Sequence, residues 1–352
     1  MDSPELPPPV PDALTRGNSY AAALVCAFIS VILMQSGFLS FLFLIPLGYI
    51  AAAYNIHAAR RAFAGAIGLN ILLSLGLSFF LKSSFFLRFL DILYYTVMSL
   101  AFFWIMAPPE RGLPLLRIRT AYRLIGGALA GSLVFLFIMY TSLNNTGFSA
   151  LVRSQTEALS SLYIASSGAD AARRSFLEQQ INPDRVLELL KLGALRGGAV
   201  ASCLILFFFS RQAARSLARI IRHVSPSGQA SGGLRGFHVP PPSIWVLSLS
   251  LAVILGSRIF GITVLETVSW NVLIISVMLF LAQGGGIALY VLSRRAVPPM
   301  IRLFLNILLI VLIFSPGINA LLLGVLVLLG IAENWVPFRA PKPDGSSSTP
   351  GI

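Results

Sequence analysis

The residues with the strongest claim to chemistry are charged or polar side chains inside long apolar runs, because an ion or amide in hydrocarbon has to be compensated. Arg258 lies about six residues, near 9 Å of helix, before the end of one such run. Glu266 follows across a short turn, and Asn271 stands just beyond it. This set could make a charge-paired pocket that holds an anionic or zwitterionic solute by a bidentate arginine contact. It fits equally an arginine that snorkels to the membrane interface and pairs with Glu266 for structure alone. Asp91 sits three residues after Arg88 near the start of another run, where a helix N-terminus and an i,i+3 partner both favour a carboxylate. Asn70, Gln283 and Asn306 are uncharged polar residues in apolar surroundings, and each needs a partner on another helix or on a solute. The candidate solute-binding residues are therefore Arg258, Glu266, Asn271, Asp91 and Asn70. Glu333, Trp335, Phe338 and Arg339 end the last apolar run, where such residues act as interface anchors.

Soluble-enzyme constellations are missing: there is no HExxH, CxxC, Walker A loop or dinucleotide-binding glycine pattern. His57, His223 and His238 fall between apolar runs, and a metal site would have to gather them from separate loops. No paired carboxylates or activated nucleophile face one compartment, so the expectation is a non-enzyme without metal or cofactor. Gly284-Gly285-Gly286 has no following hydroxyl or basic residue for a phosphate cradle and reads as close helix packing or a kink. Gly127 with Gly131, and Gly193 with Gly197, carry the same reading.

The elements that would position these residues follow from composition. Of 352 residues, 56% are hydrophobic and 11% charged, with a mean hydropathy of +0.83; a soluble domain carries about 25% charged residues. The hydropathy is concentrated in runs, which predicts an all-α polytopic transmembrane bundle. The net charge of +13 would suggest nucleic acid in a soluble protein. Here the basic residues cluster between runs, as cytoplasmic loops require, and nucleic-acid binding is not expected. Cys26 and Cys203, both inside runs, suggest neither a disulfide framework nor a thiolate site.

About ten segments approach spanning length: 19–35, 38–54, 62–81, 89–107, 121–142, 194–210, 243–263, 268–292, 301–314 and 317–333. The first two are separated only by Gln35-Ser36-Gly37 and the last two by Ser315-Pro316-Gly317, so each pair is a tight hairpin or a re-entrant element, for about eight to ten spans. Residues 1–18 and 334–352 read as disordered tails, with helices of 19–142 and 194–333 flanking an external segment at 143–193. With both termini cytoplasmic, about 17 basic residues fall inside. Among them are Arg211, Arg215, Arg219, Arg222 and Arg235 in what reads as an acid-free loop. In the external segment, Phe148, Leu151, Val152, Leu159, Leu162 and Tyr163 recur at helical spacing beside Arg153, Gln155 and Glu157, an amphipathic helix. It is either a lid on the bundle or a gate or partner platform. Asn182-Pro183-Asp184 then supplies a cap, a first-turn proline and an acid, which predicts a helix running on into the next span.

The run FLAQGGGIALY from Phe280 to Tyr290, the basic turn Arg294-Arg295, and GVLVLLGIAENWVPFR from Gly324 to Arg339 resemble the YybS-like family of uncharacterised bacterial membrane proteins. Gly330, Glu333, Phe338 and Arg339 occupy the positions with which that family closes its last helix, and IPLGY at Ile45–Tyr49 fits as well. That family is distantly similar to the substrate-binding subunits of energy-coupling-factor transporters. The resemblance implies a bacterial cytoplasmic-membrane protein of transporter type. It would bind a small polar solute from the outer side, with a separate coupling subunit and ATPase as partners beside the lipid bilayer. The alternative is a non-transport scaffold or assembly factor that uses its external amphipathic segment.

Overall fold

The computed structural model describes residues 12–81, 85–107, 120–144, 146–166, 183–222, 236–294, 300 and 318–339. Every regular element among them is helical. Six helices are long and apolar enough to cross a membrane, at Ile56–Phe80, Arg88–Met106, Ala121–Leu143, Pro183–Ile221, Ser243–Phe260 and Thr263–Leu292, and shorter apolar helices lie at Ser19–Gln35, Ser40–Ala53 and Asn319–Ala332. Their outward faces carry Leu72, Phe79, Leu133, Trp245, Leu255 and Leu328 exposed, as a lipid-facing surface requires. The chain is an all-helical, integral membrane protein. The expected segment 301–314, Asn306, the turn at 315–317, His223, Asn182 and both tails, apart from 12–18 and 334–339, lie outside the described residues.

The chain divides into two compact units, Met1–Ser225 and Pro226–Ile352. The sequence reading had grouped the span at 194–210 with the C-terminal helices; its contacts place it in the first unit instead.

In the first unit, α1 (Asp12–Gln35) ends at a turn where Gly37 has φ 69°. A 3-10 turn (Ser40–Leu42) and the short α2 (Leu44–Ala53) follow, then α3 (Ile56–Leu81), α4 (Phe85–Met106) and α5 (Thr120–Leu143). The Arg61 guanidinium lies 4.0 Å over the Tyr20 ring, while farther along both helices Gln35 bonds Asn70. So α3 runs parallel to α1, and the segment between returns between those levels as a tight hairpin. Helix α2 is apolar along its whole length and packs against α1, α3 and α4. Leu44, Leu47 and Ile50 are consequently buried, as expected of a helix without a polar face. The Ser30 hydroxyl donates to the Phe43 carbonyl at 2.7 Å and shares a 2.8 Å hydrogen bond with Tyr95 at this centre.

Helix α6 (Thr146–Ser166) is the amphipathic element, with Leu159 and Leu162 exposed and Thr156 buried; the side chains of Phe148, Leu151 and Tyr163 lie outside the described ones. Helix α7 (Pro183–Gly193) begins at Pro183 as its proline and acid predict, and Arg153 ties α6 to it through Asp184 at 2.7 Å. A π-helical turn at Ala194–Gly198, with Gly197 at φ 105°, kinks the chain into α8 (Ala199–Arg222). Here the structure corrects the sequence reading: Arg211, Arg215, Arg219 and Arg222 stand on helix, not in a loop. Gly127 and Gly131 do serve close packing. A Cβ on Gly127 would lie 2.8 Å from Ile105, and one on Gly131 2.8 Å from Met98 and 3.3 Å from Cys203.

The second unit contains α9 (Ser243–Phe260), α10 (Thr263–Arg294) and α11 (Ile318–Ala332), with α10 packed on both others. The expected role of the glycine run holds at Gly284, whose added Cβ would collide with the Leu326 carbonyl, while one on Gly330 would collide with that of Phe280. Two glycines thus bring the α10 and α11 backbones together.

Candidate functional site

Helix α9 stops because Gly261 adopts the left-handed conformation at φ 69°, and Ile262 N–H returns to the Ser257 carbonyl at 2.9 Å. Arg258 is therefore in the last turn of its helix, not deep within a span, and its side chain is 59% exposed. Glu266, in the first turn of α10, is 9% exposed at its side chain; it accepts from Arg258 Nε at 3.3 Å and from Trp270 Nε1 at 3.4 Å. Asn271 turns its amide back to the Thr267 carbonyl at 2.9 Å. The arrangement closes a helix hairpin. Of the two readings of Arg258 and Glu266, it matches the structural pair.

The other two candidates, Asn70 and Asp91, lie in the first unit. A cavity of about 210 Å³ is lined by Met34, Gln35, Gly37, Asn70 and Asp91, several times the ~30 Å³ share of one water. Gln35 Nε2 donates to Asn70 Oδ1 at 3.1 Å. That orientation leaves Gln35 Oε1 as an acceptor and the Asn70 amide as a donor. Arg88 approaches Asp91 at 3.7 Å, the i,i+3 pair expected, but the Asp91 side chain stays 54% exposed. The site thus has a carboxylate and two amides around a small space. Sequence reasoning missed Gln35, which it took for a turn residue; the signal was a polar side chain two residues before a glycine that the hairpin requires.

The four expected interface anchors divide. Trp335 is exposed and Phe338 partly so, as anchors are. Glu333 and Arg339 are instead buried against each other, in two hydrogen bonds that engage both carboxylate oxygens. Arg339 Nη2 also donates to the Phe237 carbonyl at 2.9 Å, and His238 Nε2 lies 3.8 Å from Glu333. Beside them Gln283 accepts from Val239 N–H at 2.6 Å and donates to the Gly330 carbonyl at 3.0 Å. This network pins residues 237–239 to α10 at Gln283 and to the C-terminal end of α11. Glu333, Arg339 and Gln283 all find their partners within the chain, which makes the network a lock.

No group of three or more His, Cys, Asp or Glu suited to a metal ion occurs among the described residues. Compared with family models, curated proteins and solved structures, the chain matches none.

Proposed function

We propose that this integral membrane protein is of transporter type and receives a small polar solute in the cavity between α1, α3 and α4. The observation that carries the reading is the grouping of Asp91, Asn70 and Gln35 around an open space of about 210 Å³. A carboxylate beside an amide acceptor and an amide donor suits a solute that bears an amine and at least one further hydrogen-bonding group. In the orientation expected from the basic loops, this cavity faces the outer side of a bacterial cytoplasmic membrane, with both termini inside. The resemblance to the YybS-like family supports a separate coupling subunit and ATPase as the source of energy. No covalent chemistry is part of the proposal.

The test is a thermal-shift screen of the purified chain against amino acids, polyamines and amine-bearing vitamins, repeated with Asp91→Asn. A compound that stabilises the wild type and not the variant supports the reading; no stabilising compound, or equal stabilisation of both, overturns it. Affinity purification from native membranes tests the energising partner, which should accompany the chain in fixed proportion. The exposed Leu159 and Leu162 on α6 favour a second reading, a membrane scaffold that docks a partner there. Deleting 148–180 would then lose that partner and spare solute binding.

A further inference from the structure

Arg123, in the first turn of α5, is only 4% exposed. Its Nη1 donates to the carbonyls of Trp104 at 2.9 Å and Ala107 at 2.6 Å, so it caps the C-terminal end of α4, where a cation is favoured. Its buried Nε has no partner among the described residues. Helix α8 adds Arg211 and Arg215, four residues apart and hence on one face. Both lie within electrostatic reach of Arg123, and of each other. The Nε of Arg211 is also buried without a partner.

The packing fixes where this cluster sits. Ala214, between the two arginines, presses on Gly48 of α2, where an added Cβ would come within 2.7 Å of the Ala214 methyl and 2.9 Å of Phe102 on α4. The cluster therefore lies where α2, α4, α5 and α8 meet. Helix α2 has no charged residue, and the only ones on α4, Arg88 and Asp91, are near its other end, about 20 Å of helix away. None of the three arginines has a carboxylate partner among the described residues. Guanidinium groups do not shed their protons to relieve mutual repulsion, so a fixed positive cluster remains.

We infer that Arg123, Arg211 and Arg215 form a binding site for a phosphate group. The planar forks of Arg211 and Arg215 present paired N–H donors that match phosphate oxygens, and Arg123 supplies a preset charge behind them. The phosphate arrives either on an anionic lipid headgroup, as basic recesses between membrane helices favour, or as a free phosphate species. The site is separate from the cavity at Asp91 and does not depend on it.

The full chain, purified in neutral detergent, is titrated in one arm with phosphatidylglycerol against phosphatidylcholine, read by native mass spectrometry. In the other arm it is titrated with inorganic phosphate, read by calorimetry. Each is repeated on Arg211→Gln/Arg215→Gln, which leaves the α4 cap intact, and on Arg153→Gln/Arg185→Gln, which removes equal charge elsewhere. We expect binding about tenfold weaker in the first variant and unchanged in the second. Loss in the lipid arm identifies a headgroup, and loss in the phosphate arm a free anion. Should the first variant melt early, Arg211→Lys/Arg215→Lys keeps the charge, removes the fork, and should still weaken binding. Binding of neither probe, or equal binding by wild type and the α8 variants, overturns the inference.

Discussion

Arg339 grips both carboxylate oxygens of Glu333, six residues earlier, while its Nη2 reaches 102 residues back to the carbonyl of Phe237. Their side chains are 7% and 1% exposed, so loss of either partner strands a charge away from water. Arg339→Ala and Glu333→Gln should each lower stability by about 3–5 kcal/mol, while Glu333→Leu with Arg339→Met should recover most of the loss. Thermal unfolding in detergent distinguishes these outcomes; a double change no better than either single one would contradict this account of the pair.

Gly284 and Gly330 hold the α10 and α11 backbones together, whereas nothing lies within 4 Å of an added Cβ at Gly285. Gly284→Ala and Gly330→Ala should therefore cost about 1–3 kcal/mol or more through forced separation, and Gly285→Ala should be nearly silent. Melting temperatures of the three variants, prepared side by side, check the contrast.

The ion pair of Arg258 with Glu266 has one exposed arm, and exposed pairs contribute about 0–1 kcal/mol. Arg258→Ala should shift the melting temperature little and leave any solute response of the Asp91 cavity unchanged. A solute response abolished by this substitution would return the binding site to the α9–α10 hairpin.

Cys26 and Cys203 are both buried. A maleimide should label neither in the native protein and both after denaturation, read as a mass increase. The wild type can then serve as the silent background for single cysteines placed in the loops, whose accessibility from either side tests the expected orientation.

Much of the helical pattern was legible because it is local. Pro183 and Asp184 begin α7, and Asp91 meets Arg88 one turn away; each follows from a few neighbouring residues. The long apolar runs likewise imply helices, since an unpaired backbone cannot survive in hydrocarbon. The kink at Gly197 and the helical course of Arg211–Arg222 were harder to read, because an arginine-rich stretch after a span suits a loop as well as a helix that leaves the membrane.

What the sequence by itself determined was therefore the class of protein, the approximate runs, and the contacts between near neighbours. Tertiary structure alone decided that α2 lies buried among its neighbours, that Asn70 and Asp91 share a cavity with Gln35, and that Arg339 locks onto Phe237. In a membrane helix the faces toward lipid and toward protein are equally apolar, so the pattern that reveals a soluble core is absent. Which helices meet is settled by small residues such as Gly48, Gly284 and Gly330 and by polar side chains seeking partners, pairings that span long stretches of chain and leave no local periodicity.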